Sequence, residues 1–380
     1  MNGVLSPGEL RRTYAGKTVL VTGHTGFKGS WLAEWLLLME ADVVGVALEP
    51  STTPSLFVEL KLDRRLRHHV QDIRDAAVVD LIVEVRPDFV FHLAAQPLVR
   101  QSYRAPVETF ATNVMGTVHV LEALRRLDRE QDFTCASVFV TTDKCYSNQE
   151  WLYGYRENDP LGGHDPYSAS KAAAELAVSS YRQSFMSAGH TRPRVGIASA
   201  RAGNVIGGGD WAEDRIIPDC MRSLAENRPI SVRNPEATRP WQHVLEPLGG
   251  YLLLGAMQAR AIQAGASDRL AGLSTAFNFG PHLQSNRSVE AMVEEVLRYW
   301  PGRWERVAGT DVHEAGKLNL VWDRAFHTLG WHPVWSFERT VEKTVRWYRA
   351  YRERAAPALT LVNEDIDAYE DAWAGSENSP

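Results

Sequence analysis

The chain has 380 residues, 44% of them hydrophobic, and a formal charge of −6 at pH 7 with a pI near 6.1. That apolar content can bury a substantial core in one large or two intimately joined domains, which excludes disorder through most of the length. The acidic balance gives no broad basic footprint, so no nucleic-acid partner is expected. Cys135, Cys145 and Cys220 form neither a CxxC pair nor a metal-spaced cluster; no metal is expected, and a reducing compartment is the default. The opening MNGVLSPGELRRTY lacks the apolar core of a signal peptide, and the most apolar stretches are interrupted by Glu34, Glu40 and Asp42. No membrane association is expected, and a cytoplasmic location follows.

The β-branched run Thr18 to Thr22 leads into Gly23-His24-Thr25-Gly26-Phe27-Lys28-Gly29, and the chain then turns helical from Ser30 to Met39. Glycines at 23, 26 and 29 suit a tight turn, close approach to a pyrophosphate and packing of helix on strand, with the helix N-terminus stabilising phosphate charge. The spacing is GxxGxxG rather than GxGxxG, and three glycines alone also make a flexible loop. The strand before and the helix after favour dinucleotide binding. Asp42 to Ala47 reads as the next strand, and Glu49 follows where a carboxylate would bind the adenosine ribose, with a solvated loop acid as the equal alternative. No Arg follows immediately to hold a 2′-phosphate, which leans towards NAD over NADP.

Further strands are expected at 69–73, 88–93, 137–142 and 195–201, separated by helical patterns over 75–85 and 107–126. This alternation predicts an α/β fold with a Rossmann-like, doubly wound parallel sheet, whose ligands lie beyond the carboxyl ends of the strands. Asp72 and Ile73 would then lie beside an adenine, Ala94, Ala95 and Gln96 beside the middle of the cofactor, and Thr142, Asp143 and Lys144 beside the nicotinamide. Asp143 and Lys144 would otherwise read as a local ion pair at a strand end. Tyr167-Ser-Ala-Ser-Lys171 follows, and four residues of helix put Lys171 on the face of Tyr167. A phenol with a pKa of about 10 is a poor base unless positive charge lowers that value by about 3, roughly 4 kcal/mol, and Lys171 is placed to do so. YxxxK is by itself a common surface pattern; the strand, turn and helix before it give it weight. Beyond Arg201, loop signals dominate. Trp300, Trp304, Trp331 and Trp335 are expected in core packing rather than in stacking on a sugar or base. The last stretch, acidic and poor in aliphatic residues, is expected to be a mobile tail over 361–380.

Motifs in a fixed order carry a resemblance over most of residues 15–350: GHTGFKGSW at 23–31, HLAAQPLVRQSY at 92–103, TNVMGT at 112–117 and TTDKCYSNQEW at 141–151, then GYRENDPLGG at 154–163, GNVIGGGDWAEDRIIPD at 203–219 and RNPEATRPWQHVLEPLGGYL at 233–252. The chain resembles the extended short-chain dehydrogenases/reductases of the NAD-dependent epimerase/dehydratase type, and among them the CDP-glucose 4,6-dehydratases. The resemblance implies a dinucleotide-binding domain over 1–203 with a return segment near 241–281, in which 276–280 is the returning strand. A smaller, discontinuous substrate domain would take 204–240 and 282–360. It implies NAD held by Gly23, Thr25, Gly26, Phe27, Lys28, Gly29, Glu49, Asp72, Ile73, Ala94, Ala95, Gln96, Asn113, Tyr167 and Lys171. It also implies a nucleotide-sugar substrate held by Gln96, Arg100, Asn204, Arg215 and Arg239, and a homodimer or homotetramer. The activity implied is a hydro-lyase reaction on CDP-glucose. Tyr167 takes the C4 hydroxyl proton as hydride leaves C4, with Lys171 lowering the phenol pKa and Thr142 bonding near O4. Asp143 protonates the departing C6 hydroxyl, and Lys144 removes the C5 proton or stabilises the enolate. An epimerase, reductase or 4,6-dehydratase acting on another nucleotide sugar, and a non-catalytic NAD(P)-sensing module, are the alternatives. One departure bears on base specificity: the Leu-x-Leu-Asp of these relatives appears here as Leu318-Asn319-Leu320-Val321.

Overall fold

A computed structural model describes residues 5–130, 132–186, 194–308 and 317–376. Strands β1 (Thr18–Thr22), β2 (Asp42–Ala47), β3 (Arg67–Val70), β4 (Phe89–His92), β5 (Cys135–Val140) and β6 (Val195–Ala202) are joined by helices. After them come β7 (Val205–Ile206), β8 (Ile230–Val232), β9 (Thr238–Pro240), β10 (Gln242–His243), β11 (Ala276–Phe279), β12 (Asn286–Ser288) and β13 (Trp304–Arg306). One seven-stranded sheet takes the order β11-β6-β5-β4-β1-β2-β3, with every pairing parallel. All six residues of β5 and all eight of β6 are buried, as a parallel sheet covered on both faces requires. Alternate side chains feed two cores. Val19, Val21, Val138 and Val140 face one, and Leu20, Val44, Val90 and Phe139 face the other.

The chain leaves β1 in one direction to build β2 and β3, then returns to place β4 on the other side of β1. A crevice therefore opens past the carboxyl ends of β1 and β4, the usual place for a ligand in an open α/β sheet. Among the described residues beyond β6, β11 rejoins the sheet, while β7 pairs with β10, β9 with β12 and β8 with β13 in small two-stranded sheets. Trp331 and Trp335 are buried, and Trp300 and Trp304 lie against the same core. Local bounds differ from the sequence reading. The glycine-turn helix begins at Phe27 rather than Ser30, and β3 ends at Val70, before Asp72. The pattern over 107–126 is two helices, Pro106–Phe110 and Gly116–Leu127, joined by a π-helical turn at Ala111–Met115.

The terminal segment corrects an expectation. Instead of a mobile tail from 361, a helix runs over Ala358–Ser376 and buries Leu361, Val362, Ile366, Tyr369 and Trp373; residues 377–380 lie outside the described residues. Composition hid the periodicity. Val362, Ile366, Tyr369 and Trp373 recur at the four- and three-residue steps of one helical face, and Tyr369 meets Trp35 and Trp335 edge to face at 5.7 and 5.4 Å.

Glu246, on the helix Leu245–Gln263, joins this helix to the body. Fully buried, it accepts hydrogen bonds from Trp335 N at 2.7 Å, Val334 N at 3.0 Å and Tyr369 Oη at 2.9 Å. Burial pushes its pKa from 4.5 to about 7 against those bonds. The folded chain holds this proton more tightly than the unfolded chain, so the stabilisation is complete below 4.5 and is lost as pH rises through about 7, a total of about 3 kcal/mol. Glu246→Gln is expected to flatten the fall of Tm across that interval. An unchanged slope in thermal melts would contradict it.

Candidate active site

The turn after β1 is closed backbone on backbone. Gly23 has φ +77°, and a Cβ there would lie 2.7 Å from Ala94 N at the end of β4; a Cβ on Gly29 would lie 2.1 Å from Gly23 O. Gly26 caps the helix Phe27–Leu38, and among the described residues no side chain caps its first amides. Those N–H groups and the helix dipole suit a pyrophosphate, and the cradle leaves no room for side chains, so the residues present fit a dinucleotide. Thr25 Oγ1 donates to Leu48 O at 2.9 Å, anchoring the turn to the end of β2. Lys28 Nζ donates to Tyr251 Oη at 3.4 Å. Burial lowers Lys28 to about 7, with Arg215 and Lys171 adding to the fall and Asp143 opposing it.

Glu49 is exposed and lines a cavity of about 540 Å³ with Phe57, Lys61, Arg64 and His68. The sequence reading sought an Arg directly after Glu49; the tertiary structure brings Lys61 and Arg64 to it from later turns. Asp72 pairs with Arg74, whose hydrogen bonds hold the carboxyl below its usual range. The side chain of Ile73 lies in the core, so close beneath Gly116 that a Cβ there would come within 2.4 Å of it. Past β4, Ala94 N donates to Thr22 Oγ1 at 3.2 Å. Gln96 is held on three sides: its N donates to Asn113 Oδ1 at 2.8 Å, its Nε2 to Thr109 Oγ1 at 2.9 Å, and its Oε1 accepts from Leu98 N at 2.6 Å. Asn113, in the π-helical turn, donates onward to Ser170 Oγ at 2.8 Å on the helix of Tyr167.

Beyond β5 the chain makes a single 3₁₀ turn, Asp143–Cys145, with Thr142 as its N-cap. Thr142 Oγ1 accepts from Lys144 N at 3.3 Å and donates to Asp143 Oδ1 at 3.0 Å. Asp143 is 2% exposed, and its Oδ2 has no hydrogen-bond partner among the described residues. Burial pushes this carboxyl above its usual range, against the pull of Lys144, Thr142 and Arg239. The direction suits an acid, because a carboxyl must keep its proton to give it.

Tyr167 opens the helix Pro166–Tyr181, whose N-cap Asp165 accepts from Ser168 N at 3.0 Å. Burial drives the phenol to about 12; Thr142 and Arg215 pull it down, while Asp143 and Asp165 push it up. Arg215, which the expected electrostatics did not include, is a cation that draws the phenol down. Lys171 directs Nζ to Val140 O at 3.2 Å, and burial lowers it to about 8. Same-face helical spacing placed the two residues together, but not where the amine points.

Arg215 pairs with Asp210 at 2.8 Å, and Arg239, on β9, donates to Thr238 O at 2.8 Å. Lys28, Asp143, Tyr167, Lys171, Arg215 and Arg239 thus share one electrostatic neighbourhood. Arg100 is paired with Asp214 at 2.9 Å, and Asp214 also holds Arg233 at 3.0 Å. Asn204 sits partly buried between β6 and β7. Val321, at the departing position, ties its N to Tyr155 O at 2.9 Å and accepts from Asn278 Nδ2 at 3.0 Å, so its backbone braces the loop after Asp143. Sequence reasoning missed Tyr251, Asp210 and Asp214, which carry no local signal, and Glu175, whose place one turn after Lys171 was readable.

A sequence profile of the GDP-mannose 4,6 dehydratase family matches residues 20–344. The chain belongs to the GDP-mannose 4,6 dehydratase family. Within the range of such dehydratases it is 47% identical over 360 residues to a CDP-glucose 4,6-dehydratase of Salmonella typhimurium, covering 94% of this chain and 97% of that one. The fold is that of DesIV, a dTDP-glucose 4,6-dehydratase from Streptomyces venezuelae solved with NAD bound, at TM-score 0.72 and 24% identity over 89% of this chain and 98% of that one. It is also that of the epimerase Mth375 from Methanothermobacter thermautotrophicus, at TM-score 0.73 and 23% identity over 91% and 96%. The motif resemblance and the Rossmann-like fold class are therefore met, and the chain is an enzyme of a dehydratase, or hydro-lyase, family. Among the described residues, no helix of this dehydratase is long and apolar enough to cross a membrane.

Proposed function

We propose that the chain dehydrates CDP-D-glucose to CDP-4-keto-6-deoxy-D-glucose with NAD as resident cofactor. The glycine turn of residues 23–29 binds its pyrophosphate and Glu49 its ribose. When bound, NAD supplies the hydride acceptor for C4 and gives the hydride back at C6. Tyr167 removes the C4 hydroxyl proton, with Thr142 bonded near O4 and Arg215 favouring the phenolate. Lys171 braces the cofactor ribose and the end of β5. The 4-ketone acidifies the C5 proton, which Lys144 accepts or whose enolate it stabilises. Asp143 delivers its proton to the C6 hydroxyl, which departs as water. Arg239 and Asn204 hold the diphosphate, with Arg100 and Gln96 nearer the sugar.

One observation carries this reading: a buried carboxyl with its proton affinity raised and one oxygen uncommitted, in the electrostatic field of the tyrosine that starts the reaction. An epimerase or a simple reductase has no step for such an acid. The 47% identity to the Salmonella enzyme supports CDP as the nucleotide. The free, buried Cys135, Cys145 and Cys220 suit a reducing cytoplasm. Exposed Val107, Phe110, Met115 and Leu176 support pairing of two copies through neighbouring elements.

The test is a panel of CDP-, dTDP-, GDP- and UDP-glucose with NAD in deuterated water. CDP-glucose is expected to react fastest and to give a 4-keto-6-deoxy sugar carrying deuterium at C5, with no net NADH. Net NADH formation would indicate a simple dehydrogenase, and faster turnover of another nucleotide would overturn the CDP assignment.

A further inference from the structure

The turn that carries Asp143 is flanked by two side chains, Thr141 and Tyr146, and both end on one buried ion pair. Glu175 and Arg201 are 3% and 4% exposed and meet at 2.8 Å. Thr141 Oγ1 donates to Glu175 Oε1, and Ser199 Oγ donates to Oε2 at 2.7 Å. On the other side, Arg201 Nη1 donates to Tyr146 Oη at 2.8 Å and to Glu157 O at 3.0 Å, and its guanidinium lies 4.9 Å from the Tyr146 ring centre. Tyr146 Oη in turn donates to Asn278 Oδ1 at 2.7 Å.

Glu175 stands one helical turn beyond Lys171, on the helix opened by Tyr167. Lys171 donates to Val140 O, so two successive turns of this helix are fastened to two successive residues at the end of β5. The cation of the same pair then closes on Tyr146, directly after the acid turn. Burial by itself would push Glu175 up, but Arg201 and the hydroxyls of Thr141 and Ser199 outweigh it and hold the carboxylate ionised. Stability does not explain such a pair, because desolvation offsets much of its attraction and apolar groups of similar volume often serve as well.

We propose that the Glu175–Arg201 pair is the positioning device of the acid turn, gripping it at both ends and fixing Asp143 against the helix of Tyr167 and Lys171. This rests on the reaction proposed above. The pair's own contacts are with Thr141, Ser199, Tyr146 and the Glu157 carbonyl. It acts through Thr141 and Tyr146, and the step it serves is loss of water rather than the first oxidation.

Thr141→Val and Tyr146→Phe each remove one hydroxyl from this grip and leave both charges paired, so the fold is retained. Each is expected to lower kcat for dehydration by about tenfold to a hundredfold, with KM for the nucleotide sugar unchanged. Reduced nicotinamide should accumulate during turnover, because oxidation at C4 proceeds while elimination lags. Thr141→Ser, which restores the hydroxyl, should recover kcat. A purely structural role would lower Tm with no accumulation of reduced nicotinamide, and that result overturns the proposal, as does wild-type kcat in both variants. If the wild-type enzyme gives no keto-deoxy sugar, the reaction itself is wrong; if it does and the variants do not respond, only the positioning role falls.

Discussion

Asp143→Asn is expected to leave the first hydride transfer working and to cut formation of the keto-deoxy sugar by about a hundredfold to ten-thousandfold. The amide keeps the shape of the carboxyl and its contact with Thr142 Oγ1, but it has no acidic proton for the leaving hydroxyl. Any negative charge on Asp143 raises the Tyr167 pKa, so neutralising that position makes the phenol easier to ionise and does not impede oxidation. Rapid mixing with CDP-glucose should therefore show reduced nicotinamide forming and persisting in the variant. Equal loss of the oxidation and elimination steps would contradict the division of labour. In the wild type, elimination should weaken as pH rises through the raised pKa of Asp143, because the acid form is the active one.

Tyr167→Phe should act one step earlier and abolish both signals. Without the phenol no group at this position can take the C4 proton, and the loss in kcat is expected to be of the same order, about a hundredfold to ten-thousandfold. No reduced nicotinamide should appear in a single turnover, whereas binding of the nucleotide sugar should persist. The ring remains in its buried site, and the residues proposed to hold the diphosphate, Arg239 and Asn204, are unchanged. Because burial holds the free phenol near 12 and Arg215 draws it down, Arg215 favours the form of Tyr167 that acts as the base. Reduced nicotinamide formed by the Tyr167→Phe enzyme at the wild-type rate would remove tyrosine as the base.

The glycine turn, the strand-end residues and the Tyr167–Lys171 pair were legible because each is local. A β-branched run before three glycines and an apolar helix after them specify the turn within a dozen residues, and four residues of helix always share a face. Local spacing could not say that Lys171 points to Val140, that Arg215 acts on the phenol, or that Lys61 and Arg64 reach the cavity of Glu49. The terminal helix was obscured for another reason. Its acidic exposed face dominates the composition, and the stripe from Val362 to Trp373 gains meaning only once Trp35, Trp335 and Glu246 are in place to receive it.

The sequence by itself determined the alternation of the first six strands with helices, the glycine turn, and which side chains stand at the carboxyl ends of β1, β4 and β5, since these follow from backbone periodicity and neighbours a few residues away. Only the tertiary structure decided how strongly Asp143 and Tyr167 hold their protons, and that Glu175 meets Arg201. Desolvation and charge depend on whatever covers a group, and here the covering atoms come from elements far apart along the chain.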